Sequence, residues 1–371
     1  MGAVTTCGSG IDSGWGALVA GTEAGGPFEP IEGSDSYFAA GIPGDYRPHA
    51  GIPRNLVHFL DGGSLTAIDA ALQALESAGL GAGAGDARRF AVSDGLPYRA
   101  PGQTAIFVPY GHAVARVLGV RGPVIVQGGA EASGMAAIAG GARLIATGAA
   151  DVVLAGAAQA LQVPLLEHLR AQGFATRVAA RPFDTRHGGF VPAEGAAYVV
   201  IESERHALER GANVLARIAG IGEVFDSTAE PLATSDAAEA GRASQAALGD
   251  AGYLQNQVDL LVSCADGRPA LDYAEGMGAQ RTFGRHAFFA GVTTVAASLG
   301  HALAASGPIS VVYALEAMRR QHVFPIAGLE TPEQDLELAF VKAARAEKLD
   351  CVLVTSLGSG GANVAILLQR G

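Results

Sequence analysis

Short runs of β-branched and apolar residues alternate along this chain with Ala-rich stretches whose apolar positions recur at helical spacing. The runs Ala3–Thr6, Arg89–Ser93, Val124–Gln127, Val152–Ala155, Ala197–Glu202, Ala216–Ile221, Leu260–Ser263, Cys351–Thr355 and Val364–Leu368 predict strands. The stretches Thr66–Ser77, Thr104–Val117, Ala132–Thr147, Ser235–Ala251, Asp272–Thr282 and Leu303–Arg320 predict helices. Thr234 and Ser235 read as a helix start, and Gly79 and Gly122 as helix stops. The Pro/Gly-rich segments Gly25–Pro53 and Phe225–Pro231 read as loops. Alternating strand and helix argues for α/β layers around a mainly parallel sheet.

Two segments share one order of pattern. "RGPVIVQGGAEASGMAAIAGGARLIATGAAD" runs strand, glycine turn, small-residue helix, and "RHAFFAGVTTVAASLGHALAASGPISVVYALEAM" repeats that order in the second half. A helix with Ala and Gly on every face packs closely all round, so both helices are expected at the centre. The pattern predicts duplicated α/β halves, residues 1–215 and 216–371, joined in one compact unit.

Composition narrows the function. The chain is 49% hydrophobic and only 16% charged, with a net charge of −11. No Arg/Lys run is present, which argues against nucleic acid as a partner. No apolar run reaches the roughly 20 residues of a membrane span. The opening "MGAVTTCGSG" lacks a basic segment and reads as a first strand, although it fits a myristoylation pattern formally. Cys7, Cys264 and Cys351 lie far apart in apolar settings, with neither metal spacing nor a disulfide framework. They imply a reducing, cytoplasmic setting, and neither a metal nor another cofactor is expected. Lysine occurs only at Lys342 and Lys348.

The chemistry-bearing candidate is Glu131, at the hinge of "VQGGAEASGMAAI". A carboxylate there reads as a helix-start group accepting backbone N–H bonds, held ionised by the helix dipole. His301 reads as a core or capping histidine, His112 as structural, and Cys264 as a strand residue. Gly358, Gly360 and Gly361 read as a tight turn before the last strand.

Five ordered segments carry a family likeness: "CGSGIDSGWGALVAGTEAG", "ARLIATGAADVVLAGAAQA", "RPFDTRHGGFVPAEGAAYVVIESERHALERGANVLARIAGIG", "SLGHALAASGPIS" and "TSLGSGGANVAILL". Together they resemble the β-ketoacyl synthases of the thiolase superfamily. The resemblance implies a layered α-β-α-β-α fold with two buried central helices. An active member needs a Cys nucleophile, two His and a Lys. By the resemblance the nucleophile position falls on Glu131, the first His on Ala265 or Asp266, and the Lys near Ala296. The second His survives as His301, and Leu357 and Ser359 replace the Phe residues of the closing motif. No lysine precedes position 342, so three of the four groups are missing.

Family members of this kind are the chain length factors of type II polyketide synthases. The resemblance therefore implies a non-catalytic subunit that pairs with an active ketosynthase, as a heterodimer or a dimer of heterodimers, and shapes the tunnel that sets product length. An acyl carrier protein would bring the growing chain to that complex. The seam is expected along Val124, Ile125, Val126 and Gln127. The short segment "DGLPYRAPGQ" resembles the compact partners of polyene-forming systems and makes Asp94, Leu96 and Tyr98 tunnel candidates. The alternative is a ketosynthase-like decarboxylase, or another acyl-thioester-processing enzyme, that uses Glu131 or His301.

Overall fold

The computed structural model describes residues 1–371 except 31, 32, 34, 59, 82–85, 102–107 and 230–235. Its first half is built on a six-stranded sheet. The strands are β1 (Gly2–Thr5), β2 (Gly8–Ser9), β3 (Phe90–Gly95), β4 (Val124–Gln127), β5 (Val152–Gln159) and β6 (Gly195–Glu202), in the order β2-β1-β6-β5-β3-β4. The second sheet holds β7 (Ala216–Phe225), β8 (Leu260–Val262), β9 (Gly291–Thr293), β10 (Ala339–Phe340), β11 (Cys351–Leu357) and β12 (Ala362–Arg370), in the order β10-β9-β8-β11-β12-β7. Helices α1 (Gly62–Ser77) and α2 (Tyr110–Leu118) cover the outer face of the first sheet, while α3 (Ser133–Ala146) lies on its inner face. Helices α4 (Ala237–Ala251) and α5 (Pro269–Phe283) cover the second sheet, and α6 (Ser306–Arg320) fills the middle beside α3. The result is the expected α-β-α-β-α stack.

The sequence predicts a mainly parallel sheet, but each sheet is mixed. β3 pairs parallel with β4 and β5, whereas β1–β2, β1–β6 and β5–β6 are antiparallel. In the second sheet β8–β9, β8–β11 and β9–β10 are parallel, and β11–β12 and β12–β7 antiparallel. The antiparallel strands β5, β6, β11 and β12 are mostly buried on both faces and carry the same unbroken apolar runs as parallel ones, so hydropathy does not distinguish them. The turn that reverses β11 into β12 is built from Gly358 to Gly361, with φ of 90° at Gly360 and 102° at Gly361.

The duplication is visible in the backbone. Glycine Gly129 and the left-handed Ala130 (φ 51°) lead into a 3₁₀ turn, Ala130–Ala132, and then α3. In the second half the left-handed Leu303 (φ 45°) opens a 3₁₀ turn, Leu303–Ala305, and then α6. Two non-glycine residues share one costly conformation at equivalent places. The central helices cross closely because their contact residues are glycines. A Cβ on Gly134 would stand 2.3 Å from the Ala304 carbonyl oxygen, and one on Gly307 would meet Met135.

Helix starts are where the sequence and the structure differ most. The reading of Ala132–Thr147 and Leu303–Arg320 as helices from their first residues is corrected by those 3₁₀ turns. α4 starts after Asp236, whose carboxylate accepts the N–H groups of Ala238 and Glu239; Thr234 and Ser235 lie outside the described residues, as does Thr104. Gly79 does end a helix, with φ of 68°, but α2 ends at Gly119, not Gly122. Within the segment read as loop, Gly26–Phe28 and Tyr37–Ala39 pair as a short hairpin. Helices Ile11–Ala20 and Val163–Ala171 carried no sequence expectation.

Among the described residues, no helix is long and apolar enough to cross a membrane.

Candidate functional site

Four chain segments meet where the two central helices begin. The turn before α3 brings Glu131, the loop between β8 and α5 brings Asp266 and Arg268, the turn before α6 brings His301, and the β11–β12 turn brings Ser359. Glu131 is 2% exposed, yet three groups satisfy it. Ser359 donates its backbone N–H to Glu131 Oε2 at 2.8 Å and its hydroxyl to Oε1 at 2.7 Å. The Arg268 guanidinium donates to Oε1 at 3.2 Å. The helix-start carboxylate expected from the sequence is therefore present, but its N–H donor comes from the closing turn rather than from its own helix.

Arg268 carried no sequence expectation, and it organises the site. Its Nε lies 3.0 Å from Asp266 Oδ2 and its Nη2 2.9 Å from the same oxygen, so the cation bridges Asp266 to Glu131. The guanidinium lies 5.1 Å from the centre of the Phe174 ring and 5.2 Å from that of Phe190, within cation–π range. Of the two residues expected at the first His position, Asp266 faces the site and Ala265 packs in the core of the second half. Asp266 Oδ2 lies 3.6 Å from His301 Nε2.

The loop that presents Arg268 is tied down by backbone hydrogen bonds. Asp272, in the first turn of α5, accepts the N–H groups of Asp266 (3.0 Å), Gly267 (3.1 Å) and Phe183 (2.8 Å). His187 Nδ1 lies 3.3 Å from the same carboxylate. Gly267 has φ of 103°, and a Cβ there would stand 2.5 Å from the Gly189 carbonyl oxygen, so only glycine fits. Asp266 Oδ1 in turn accepts the Arg268 N–H at 2.9 Å.

These contacts fix the charges. Burial pushes the Glu131 carboxyl up, but Arg268, both donors of Ser359 and His301 outweigh it, and the group stays below the ordinary carboxylate range. Burial also opposes the Arg268 charge, but Asp266 and Glu131 hold it above its usual range. His301 is pushed down by burial, with Asp266 opposing, so it is neutral near pH 7. Its Nδ1 is buried without a hydrogen-bond partner, as are the hydroxyls of Ser298 and Ser306. His301 is held through its backbone, with its N–H on the Val191 carbonyl at 2.8 Å. Glu131 lines a void of about 10 Å³, together with Cys264, Ala296, His301, Ser306 and Leu357 among others. That is at the lower limit for a single water. Cys264 is pushed well up by burial and by Glu275, which disfavours its thiolate. Glu275, a buried carboxyl accepting from the Thr355 hydroxyl, is raised chiefly by burial.

The remaining candidates separate. Val124, Ile125, Val126 and Gln127 form β4, the edge of the first sheet, and all four are half-buried. Tyr98 stacks on His168, and its N–H bonds Gln159 at 2.8 Å. Burial, with Glu131 adding and Arg268 opposing, pushes its hydroxyl up to about 12. Leu96 is 41% exposed beside β4 and donates its N–H to the Gln127 carbonyl. Asp94 faces the α1/α2 side of the sheet, fully buried, accepting from Tyr198 Oη at 2.5 Å and the Gly111 N–H at 2.7 Å. His112 is exposed on α2. Among the described residues no group of three or more His, Cys, Asp or Glu is placed to hold a metal ion.

Asp94 yields a test of its own. Burial pushes its carboxyl up to about 7, against the pull of Tyr198 and Gly111. Its unfolded value is about 3.9. An acid raised on folding favours the fold while protonated, and that contribution is lost as pH climbs through about 7. The chain is expected to lose more stability between pH 5 and pH 8 than its Asp94→Asn variant. Urea unfolding at the two pH values measures this, and parallel pH profiles would contradict it.

With the site described, its relatives can be placed. Residues 1–207 match the beta-ketoacyl synthase N-terminal domain, and residues 215–330 the C-terminal domain. The chain belongs to the β-ketoacyl synthase family. A relative from Coxiella burnetii, named 3-oxoacyl-[acyl-carrier-protein] synthase 2, is 29% identical over 100% of this chain and 97% of its own length. A β-ketoacyl synthase crystal structure from Burkholderia phymatum superposes with a TM-score of 0.89 at 26% identity, covering 100% of this chain and 98% of the other. The ishigamide ketosynthase/chain length factor has the same fold, with a TM-score of 0.88 at 22% identity, covering 100% and 97%. The thiolase-like architecture expected from the sequence is thus that of the ketosynthases.

Proposed function

We propose that this ketosynthase-family chain is a non-catalytic subunit of the chain-length-factor type, which pairs with an active ketosynthase and forms part of the wall of its product tunnel. The observation that carries the reading is the buried ion network. Glu131 is fully engaged by Arg268 and Ser359, and an ionised carboxylate is a poor acyl acceptor because its product is a reactive mixed anhydride. With no thiol at 131, no histidine at 265–266 and no lysine at 296, His301 alone remains of the four groups and no nucleophile is left to form a thioester.

β4 would be the seam. Pro123 O and Gln127 O accept from β3 at Val92 and Leu96, so strand alternation turns the N–H and C=O groups of Val124 and Val126 outward. Such an edge is ready to pair with a second strand. The partner would be the active ketosynthase, with an acyl carrier protein delivering the chain to the complex. At the level of fold, the ishigamide ketosynthase/chain length factor neighbour is compatible with this pairing.

The second reading is an enzyme that decarboxylates or hydrolyses acyl thioesters with Glu131 or His301. It draws on the synthase name of the Coxiella relative and on the unpartnered Nδ1 of His301. The purified chain is tested alone with malonyl-carrier protein. The partner reading expects no release of carbon dioxide above background; turnover that disappears in a His301→Ala variant would establish the enzyme.

A further inference from the structure

The partner reading explains why the chain needs no nucleophile, but not why an arginine fills the space in front of the nucleophile position. We infer that Arg268 is a plug: it closes the pocket at residue 131 to acyl chains and alkylating groups, independently of which side chain stands at 131. The inference rests on the non-catalytic reading and adds a second, physical lock to it.

Three features carry it. First, Arg268 covers one side of Glu131. Its guanidinium sits between the rings of half-buried Phe174 and buried Phe190 on the one hand and Glu131 on the other. With side-chain exposures of 8% for Arg268 and 3% for Glu131, the carboxylate is sealed beneath it. Second, there is little room beside it. The void that Glu131 lines measures about 10 Å³, about one water at most and too little for an acyl group. A thioester could reach residue 131 only by displacing Arg268 or the Ser359 turn that covers the other side of the carboxylate. Third, the plug is fastened. Asp266 holds both the backbone N–H and the side chain of Arg268, and Asp272 holds the backbone N–H groups of Asp266 and Gly267. Withdrawing the guanidinium would strand two buried carboxylates, so the closed position is the stable one.

The test places a reporter thiol at the sealed position. Glu131→Cys is compared with Glu131→Cys/Arg268→Ala, with iodoacetamide as the probe and peptide mass spectrometry reading each cysteine. A thiol beside Arg268 would be drawn toward the reactive thiolate, so slow alkylation reports closure and not weak chemistry. In the folded single variant, the reporter thiol is expected to react about 100-fold or more slowly than in the same chain unfolded, because reaction waits on local opening. Removing Arg268 is expected to raise that rate by about tenfold or more, while native Cys351, in the middle of the second sheet, stays unreactive in both. Cys351 reacting in step with the reporter would show general loosening and count against a plug. A reporter thiol that reacts in the folded single variant at the unfolded rate overturns the inference outright, even if the double variant does not fold. That result would leave the partner reading intact. Decarboxylation by the unaltered chain would overturn the partner reading whatever the reporter does.

Discussion

Arg268→Ala is expected to lower the stability of the chain by about 3–5 kcal/mol, the cost of leaving buried charges uncompensated. Glu131 is 2% exposed and Asp266 fully buried, and each has Arg268 as its cationic partner at 3.2 Å or less. Losing the guanidinium removes two ion pairs and the stacking on Phe174 and Phe190. The carboxylates would then take up protons or admit water, and either response weakens the native state. The expectation has a second part. Breaking one partner of a buried network is costly, whereas replacing the whole network by neutral groups of similar size often is not. Glu131→Gln/Asp266→Asn/Arg268→Met should therefore recover most of what Arg268→Ala loses. Urea unfolding midpoints of the three proteins at one pH measure both parts. A loss below about 1 kcal/mol for Arg268→Ala, the range of an exposed pair, would mean that the network contributes little.

The second large effect concerns the seam. Val126→Pro is expected to weaken the complex with an active ketosynthase by about 100-fold or more, equivalent to about 2.8 kcal/mol. Proline suits this test because the Val126 N–H points away from β3, and an edge strand tolerates proline where its N–H faces outward. The fold of the isolated chain should survive, while the outward ladder loses a donor and meets a ring. Co-purification and titration of the two subunits give the affinity, with circular dichroism confirming the fold. A folded Val126→Pro chain that still pairs at the original affinity would place the seam elsewhere.

Much of this was readable from the residues. β4 was bounded correctly because Pro123 and Gly128 flank its four apolar-to-polar positions. The central helices followed from their small residues, and their crossing at Gly134 and Gly307 shows why large side chains are absent. Their starts were misplaced, because a 3₁₀ turn has nearly the same local pattern as a first helical turn. The mixed pairing of the sheets was hidden because strands buried on both faces look alike whichever way they run.

At the site, the sequence pointed to what is missing at Glu131, Ala265, Asp266 and Ala296, and missed what is added. Arg268 gave a faint signal: an arginine two residues after an aspartate, in an apolar loop just before a helix-opening proline. Asp-x-Arg in a loop is ordinarily a surface pair, and only the fold, which brings Glu131 and Ser359 from 137 and 91 residues away, turns it into a buried network. The role of Asp272 is hidden in the sequence for the same reason. Its three backbone partners come from two separate segments. Asp94 is separated from Leu96 and Tyr98 by the end of its strand: alternation along β3 turns Ser93 to α3 and Asp94 to the α1/α2 side, whereas Leu96 and Tyr98 lie past Gly95.

The central claim is that residue 131 does no chemistry while the chain remains necessary to its partner. It is tested most directly by co-expressing the chain with an active ketosynthase encoded beside it and comparing product formation for the unaltered and Glu131→Gln proteins. Glutamine keeps the shape of the side chain and can still accept from Ser359. The account predicts product of unchanged amount and length with the variant, and none when the chain is omitted. Loss of product with Glu131→Gln in an intact complex would contradict it.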